Sequence, residues 1–247
     1  MPEEIVEINN LTKYYNRRLN LFSLEKVQAL DALNLTIYKG DIFALLGPNG
    51  AGKTTTLNII AGLLRQSGGE VKVFGENFNV HSDELRCKIG YLSEENILPD
   101  YVSVKELLEF LANIFGQNSA LRKKRIEYLI EIFNLEGLLK KHIHLLSSGQ
   151  KRIIGVACAL INEPDLLILD EPTVYLDPLA VKHLSNIIIS LKDEGKTVIV
   201  SSHILSQVEK LCNRLAIIKD GKLKLSAKTE DVLSQRSLDD VFLEVTS

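Results

Sequence analysis

The sequence predicts an α/β fold with a helical lobe inserted into its core. Three observations predict it. Short apolar runs alternate with longer helical patterns along most of the 247 residues. A glycine-rich octapeptide, Gly47 to Thr54, joins one of those runs to a helix. The stretch from about Ser103 to Leu146 breaks the alternation, with helical patterns and no strand signal. Helices between central strands are what parallel crossovers require.

In chain order, Ile5–Ile8 and Leu33–Ile37 read as strands. Ile42–Leu46 is an unbroken apolar run, which suits a buried strand, and Lys53 to Leu64 reads as the helix after it. Val71–Phe74 and Ile89–Leu92 are further strands. Ser103-Val104-Lys105-Glu106 is a capping box opening one amphipathic helix of the lobe. A second runs from about Ala120 to Phe133. Leu146 to Gln150 opens a helix that continues to Ile161. Leu166–Leu169, Thr197–Ser201, Leu215–Ile218 and Lys222–Leu225 complete the strands, with Asp220-Gly221 as a tight hairpin between the last two.

The octapeptide Gly47-Pro48-Asn49-Gly50-Ala51-Gly52-Lys53-Thr54 fits the P-loop pattern. Its glycines let successive backbone N–H groups point at phosphate oxygens. Lys53 brings a fixed positive charge to the β- and γ-phosphates, and the Thr54 hydroxyl suits Mg²⁺. Thr55 follows in the first helical turn, whose N-terminus faces the phosphates. The run Leu166 to Leu169 delivers Asp170 and Glu171 at the carboxyl end of a strand, where ligands bind in open α/β sheets. Asp170 suits Mg²⁺. Glu171 points elsewhere and is free to polarise a water. His203 ends another buried strand near the same edge and is placed to hydrogen-bond the γ-phosphate. Ser147, Ser148, Gly149 and Gln150 form a second helix N-terminus suited to anions. One nucleotide does not obviously need both phosphate sites.

Composition narrows the function classes. Hydrophobic content of 45% and charged content of 25% belong to a soluble globular chain. A net charge of −3 gives no reason to expect nucleic acid. Arg122-Lys123-Lys124-Arg125, the one basic cluster, reads as a solvated helix face. No apolar run approaches the ~20 residues of a membrane helix, and the acidic start is unlike a signal peptide. Cys87, Cys158 and Cys212 show no metal-type spacing and read as free thiols in a cytosolic chain, Cys158 in the core.

From Val6 to Leu225 the order of these sites resembles the ATP-binding-cassette (ABC) family. Gly47 to Thr54 is similar to its Walker A loop, Leu146 to Gln150 to its signature motif, and Leu167 to Glu171 to its Walker B strand. Leu176-Asp177 looks like its D-loop and His203 like its switch histidine. The resemblance implies a P-loop NTPase core with an antiparallel β part on the N-terminal side. It divides the chain into a catalytic core (1–95 and 160–225), a helical signature subdomain (96–159) and a C-terminal extension (226–247). It further implies Mg²⁺-dependent ATP hydrolysis, with two cassettes sandwiching two ATP molecules head to tail. Ser147 and Gly149 would then serve the partner's nucleotide, which explains the second phosphate site. Tyr15 matches the aromatic that stacks on adenine, with Tyr14 as the alternative.

Four features depart from the family pattern. Glu94 stands where Gln is usual, adding negative charge near Mg²⁺ and the γ-phosphate. Ser148 replaces a commoner Gly, and Val174-Tyr175 replaces small residues. The segment between Tyr15 and Ala29 is longer than usual.

Gly90 to Glu95, Ser201 to Glu209 and Ser237 to Val245 resemble the branch that drives small exporters of drugs, peptides, sodium or lipid-like substrates. That branch implies a separate multi-span membrane permease, docked on the lobe and the Glu94 loop. It implies a peripheral location on the cytoplasmic face of the membrane, with the isolated chain soluble. A soluble cassette acting on ribosomes or DNA is the alternative reading.

Overall fold

The computed structural model describes residues 2–18, 24–77, 83–114 and 118–246. In chain order the strands and helices begin with β1 (Glu4–Arg18), β2 (Leu24–Tyr38), β3 (Ile42–Leu46), α1 (Lys53–Ile60), β4 (Gly68–Val73), β5 (Glu76–Asn77), α2 (Asp83–Arg86) and β6 (Ile89–Leu92). Then come α3 (Val104–Ile114), α4 (Ser119–Ile132), α5 (Ser148–Ala159), β7 (Leu166–Asp170), α6 (Pro178–Asp193), β8 (Thr197–Ser201) and α7 (Leu205–Leu211). The chain closes with β9 (Arg214–Lys219), β10 (Lys222–Lys228), α8 (Thr229–Leu233) and α9 (Leu238–Thr246).

The strands form two sheets, ordered β10-β9-β3-β8-β7-β6 and β2-β1-β4-β5. In the first, β9, β3, β8, β7 and β6 run parallel, and β10 is an antiparallel edge. The second is antiparallel throughout. Side-chain alternation along the central strands builds two cores. Ile42, Ala44 and Leu46 face the cluster that holds the lobe, while Phe43 and Leu45 face the cluster shared with the antiparallel sheet. Leu167 and Leu169 against Leu166 and Ile168 repeat that split on β7. Burial on both faces explains the unbroken apolar runs within these strands.

The predicted strands are all present, and several are longer. β1 and β2 extend into polar sequence, which pairs because main-chain bonds need no apolar side chain. Register shifts bend this pair near Asn10 and Ala32, both at φ 50°. Residues 19–23, within the long segment between Tyr15 and Ala29, lie outside the described residues. The helix after the P-loop stops at Ile60, short of Leu64, because Gly62 turns left-handed at φ 68° and its N–H donates to Ile59 O. Asp220 and Gly221 have φ 52° and 72°, as a type I′ hairpin turn requires.

Between β6 and β7 the described residues contain α3, α4 and α5 and no strand. The Ser103 capping box is formed: Ser103 Oγ accepts from Glu106 N–H at 3.2 Å, and Glu106 Oε2 accepts from Ser103 N–H at 2.8 Å. One expectation for α4 is corrected. Arg125 is not on a solvated face: its guanidinium turns inward to Leu160 O, closing the C-terminal end of α5. Lys123 remains exposed and pairs with Glu127. Cys158 packs against the core, and enclosure pushes its thiol up to about 12.

Candidate functional site

Four adjacent parallel strands, β3, β8, β7 and β6, deliver their carboxyl ends to one edge of the sheet. That edge carries a cleft of about 300 Å³, lined by P-loop residues 49–55 with Glu94, Asp170, Glu171 and Ala29. Five parallel strands over two buried faces leave little freedom in where these side chains emerge.

Gly47 sits where a Cβ would meet Ile218 O at 2.3 Å, so β9 excludes any side chain there. Gly52 caps α1 at φ 104°, and a Cβ on it would strike Ala29 O at 2.8 Å. Gly52 offers no side-chain cap, so the first N–H groups of α1 face the cleft. Gly50, Pro48, Asn49 and Ala51 complete the loop, with Ala51 N–H donating to Pro48 O at 3.1 Å. Lys53 is buried and folds back, its Nζ donating to Gly47 O at 2.8 Å and Pro48 O at 3.3 Å. Thr54 and Thr55 sit at the cleft wall.

Asp170 is fully buried. Its Oδ1 accepts from Ser201 Oγ at 2.5 Å, and its Oδ2 has no partner among the described residues. A buried carboxylate oxygen without a partner is costly unless a cation meets it. With the Thr54 hydroxyl and the Glu94 carboxylate in the same cleft, the donors are all hard oxygens, which fit Mg²⁺. Glu171 follows in the left-handed region, at φ 50°, directly before Pro172. This backbone is strained for a non-glycine residue. It turns the Glu171 carboxylate away from Asp170 and toward His203, whose Nδ1 lies 2.9 Å from Oε2. The Glu171 side chain is 8% exposed and that of His203 58%.

Tyr15 comes to the P-loop, its hydroxyl 3.4 Å from Thr55 Oγ1. Tyr14, one residue earlier on β1, has its ring under Lys26 Nζ, 4.0 Å from the centroid.

A separate cleft of about 610 Å³ is lined by Ser147, Ser148, Gly149, Gln150, Tyr175 and Asp177, among others. Ser147 caps α5 and completes a capping box with Gln150. Gly149 is needed because a Cβ there would lie 2.9 Å from Tyr175 O. The signature and D-loop segments are therefore packed together. Asp177 caps α6, its Oδ1 accepting from Leu179 and Ala180 N–H at 2.9 and 3.0 Å. Tyr175 is 75% exposed with φ 67°. The residues lining this cleft and those lining the P-loop cleft do not overlap.

Two residues were missed by sequence reasoning. Ser201 lies opposite Asp170 in the β7–β8 register and bonds both Asp170 and the Glu171 N–H. A small hydroxyl residue at the end of β8 was the available signal. Arg152, one turn into α5, is 2% exposed and bonds five main-chain oxygens around the cleft. A lone arginine in an amphipathic helix carries no such signal.

Fold and clefts together define a P-loop nucleotide-binding protein. The chain belongs to the ABC transporter family, whose pattern it matches over residues 30–174. It is 39% identical to an uncharacterized ABC transporter ATP-binding protein of Nostoc sp., over 94% of this chain and 69% of that protein. It is 38% identical to the bacitracin transport ATP-binding protein of Bacillus licheniformis, over 89% and 68%. Identity to the Nod factor export ATP-binding protein I of Cupriavidus pinatubonensis is 36%, over 94% and 69%. Among solved structures, the ATP-binding subunit of an ABC transporter superposes with a TM-score of 0.85 at 28% identity, over 98% of this chain and 100% of that one. A dimeric ATP-binding cassette in a post-hydrolysis state with ADP and Pi gives 0.82 at 28% identity, over 91% and 99%. None of the described helices is long and apolar enough to cross a membrane.

Proposed function

We propose that the chain is the ATP-hydrolysing subunit of an exporter, driving a separate membrane permease through ATP-dependent pairing of two cassettes. The Glu171–His203 contact at 2.9 Å, beside the partnerless Asp170 oxygen and the P-loop, carries this reading. The loop N–H groups and Lys53 bind and neutralise the phosphates. Thr54, Asp170 and Glu94 are the residues that would hold Mg²⁺, which would supply neutralisation of phosphate charge when bound. Glu171 orients the attacking water and accepts its proton. His203 holds the Glu171 carboxylate in place and reaches the γ-phosphate. Tyr15 stacks on adenine.

The separation of the two clefts supports a composite site. On this reading Ser147 to Gln150 of one chain close over the nucleotide of another, and Asp177 lies at the seam. Residues 96–159 form the signature subdomain between the two parts of the core (1–95 and 160–225), followed by the extension 226–247. Exposed Ile97, Tyr101 and Phe110 on that subdomain support it as the permease-docking surface. Export is supported by the Nod factor relative, and a peripheral place on the cytoplasmic face follows from that partner. Phosphate release from ATP with Mg²⁺ tests the catalytic reading. Co-purification from solubilised membranes with a multi-span protein tests the transport reading, and recovery with ribosomes or DNA instead would sink it.

A further inference from the structure

The two clefts share no lining residue, yet one side chain is bonded to the frame of both. Arg152 lies on α5, whose N-terminus forms the signature cleft. Its Nη1 donates to Ser93 O at 2.7 Å and Glu94 O at 2.9 Å. Its Nη2 donates to Glu171 O at 2.8 Å and also to Asp170 O. Its Nε donates to Pro172 O at 3.4 Å. These five acceptors come from the turn after β6 and from the last residue of β7 with the turn beyond it, the two segments that carry the acidic residues of the P-loop cleft.

Enclosing a guanidinium is expensive unless its donors are matched. None of the five acceptors is a carboxylate. Burial pushes the Arg152 guanidinium below its ordinary value, and the Asp170, Glu171 and Glu94 charges pull it partly back. The planar fork of five N–H donors spans two turns at once, which a lysine ammonium with three donors on one atom does not. The acceptors on both sides of Glu171 also hold that residue in its strained left-handed conformation. The turn after β6 is gripped a second time by α5. Asn96 Nδ2 donates to Lys151 O at 2.8 Å, and the Asn96 amide fills the space where a Cβ on residue 155 would be, which is why Gly155 is there.

We propose that Arg152 is a positioning residue for hydrolysis: it locks the Glu94 turn and the Glu171 turn into one rigid frame with the signature helix, so that engagement at the N-terminus of α5 is transmitted to the water-orienting carboxylate of the same chain. This rests on the catalytic reading given above. Arg152 touches neither substrate nor reacting atoms. Losing it displaces Glu171 relative to the phosphates while leaving the P-loop intact, so turnover should suffer and nucleotide binding should not.

The test is Arg152→Lys, which keeps the charge and loses the fork. Thermal melting establishes that the variant is folded. Steady-state ATPase and equilibrium binding of a fluorescent ATP analogue are then measured in parallel with the parent. The expected result is a fall in kcat of about 100-fold, the scale of a small misplacement of a catalytic group, with KM and Kd within about twofold of the parent. A folded variant with parental kcat overturns the proposal, and so does one whose loss lies in nucleotide binding. If Arg152→Lys does not fold, amide exchange of the parent protein decides. Segments 93–96 and 170–173 should open together in the absence of nucleotide, and independent opening overturns the proposal. A parent protein that releases no phosphate from ATP refutes the catalytic reading instead, while the exchange experiment still decides whether Arg152 joins the two turns.

Discussion

His203 Nδ1 meets Glu171 Oε2 at 2.9 Å, across 32 residues of sequence and between the ends of β8 and β7. The contact exists because Glu171 adopts φ 50° at the end of its strand, which swings its carboxylate toward β8. The Glu171 carboxylate is thereby held against the end of β8.

Glu171→Gln keeps the shape and removes the proposed base. It should bind ATP with parental affinity and lose about 10²–10⁴-fold in turnover. Phosphate release reads the loss, and size-exclusion chromatography with ATP should show an accumulated dimer. Parental turnover in this variant would sink the assignment of Glu171.

Ser201→Ala removes the donor to Asp170 Oδ1 and the acceptor of the Glu171 N–H. Both partners are buried, so the variant should lose about 1–3 kcal/mol of stability. Urea denaturation measures this directly. Ser201→Thr, which keeps a hydroxyl at that position, should recover most of it. Equal losses in the two variants would show that space rather than hydrogen bonding governs this position.

Glu94 brings a carboxylate to a cleft that already holds Asp170 and Glu171. Glu94→Gln removes one negative charge there. Its ATPase rate should depend less steeply on Mg²⁺ concentration than the parent's. Unchanged rate and unchanged Mg²⁺ dependence would show that this carboxylate has no part in the site.

Tyr15 reaches Thr55 on α1, and Tyr14 lies under Lys26. Tyr15→Ala should weaken ATP binding by the worth of one aromatic stack, about 0.5–1.5 kcal/mol. Tyr14→Ala should leave it unchanged. Titration with a fluorescent ATP analogue separates the two, and the reverse pattern would assign stacking to Tyr14.

Much of this was legible in the primary structure because its parts are contiguous there. Gly47 to Thr54 is one loop, and Asp170 and Glu171 are neighbours at the end of one apolar run. The central strands were legible because burial on both faces leaves unbroken apolar runs. The far halves of β1 and β2 were not, since polar residues pair through the main chain and leave no hydrophobic period. Arg125 was read as solvated because a charge in a basic cluster does not reveal that Leu160 O will stand over it.

By itself, then, the sequence determined the P-loop, the strand-end carboxylates and the family they mark, because each is a short-range pattern with its own physical signature. Tertiary structure alone placed the Tyr15 hydroxyl beside Thr55 on α1 and the Tyr14 ring under Lys26. It alone seated Ser201 against Asp170 and drove the Arg152 guanidinium into five main-chain oxygens. Those contacts join strands and helices distant in sequence. Their acceptors are largely backbone atoms common to every residue type, so only the packing of β6, β7 and β8 against α5 could select them.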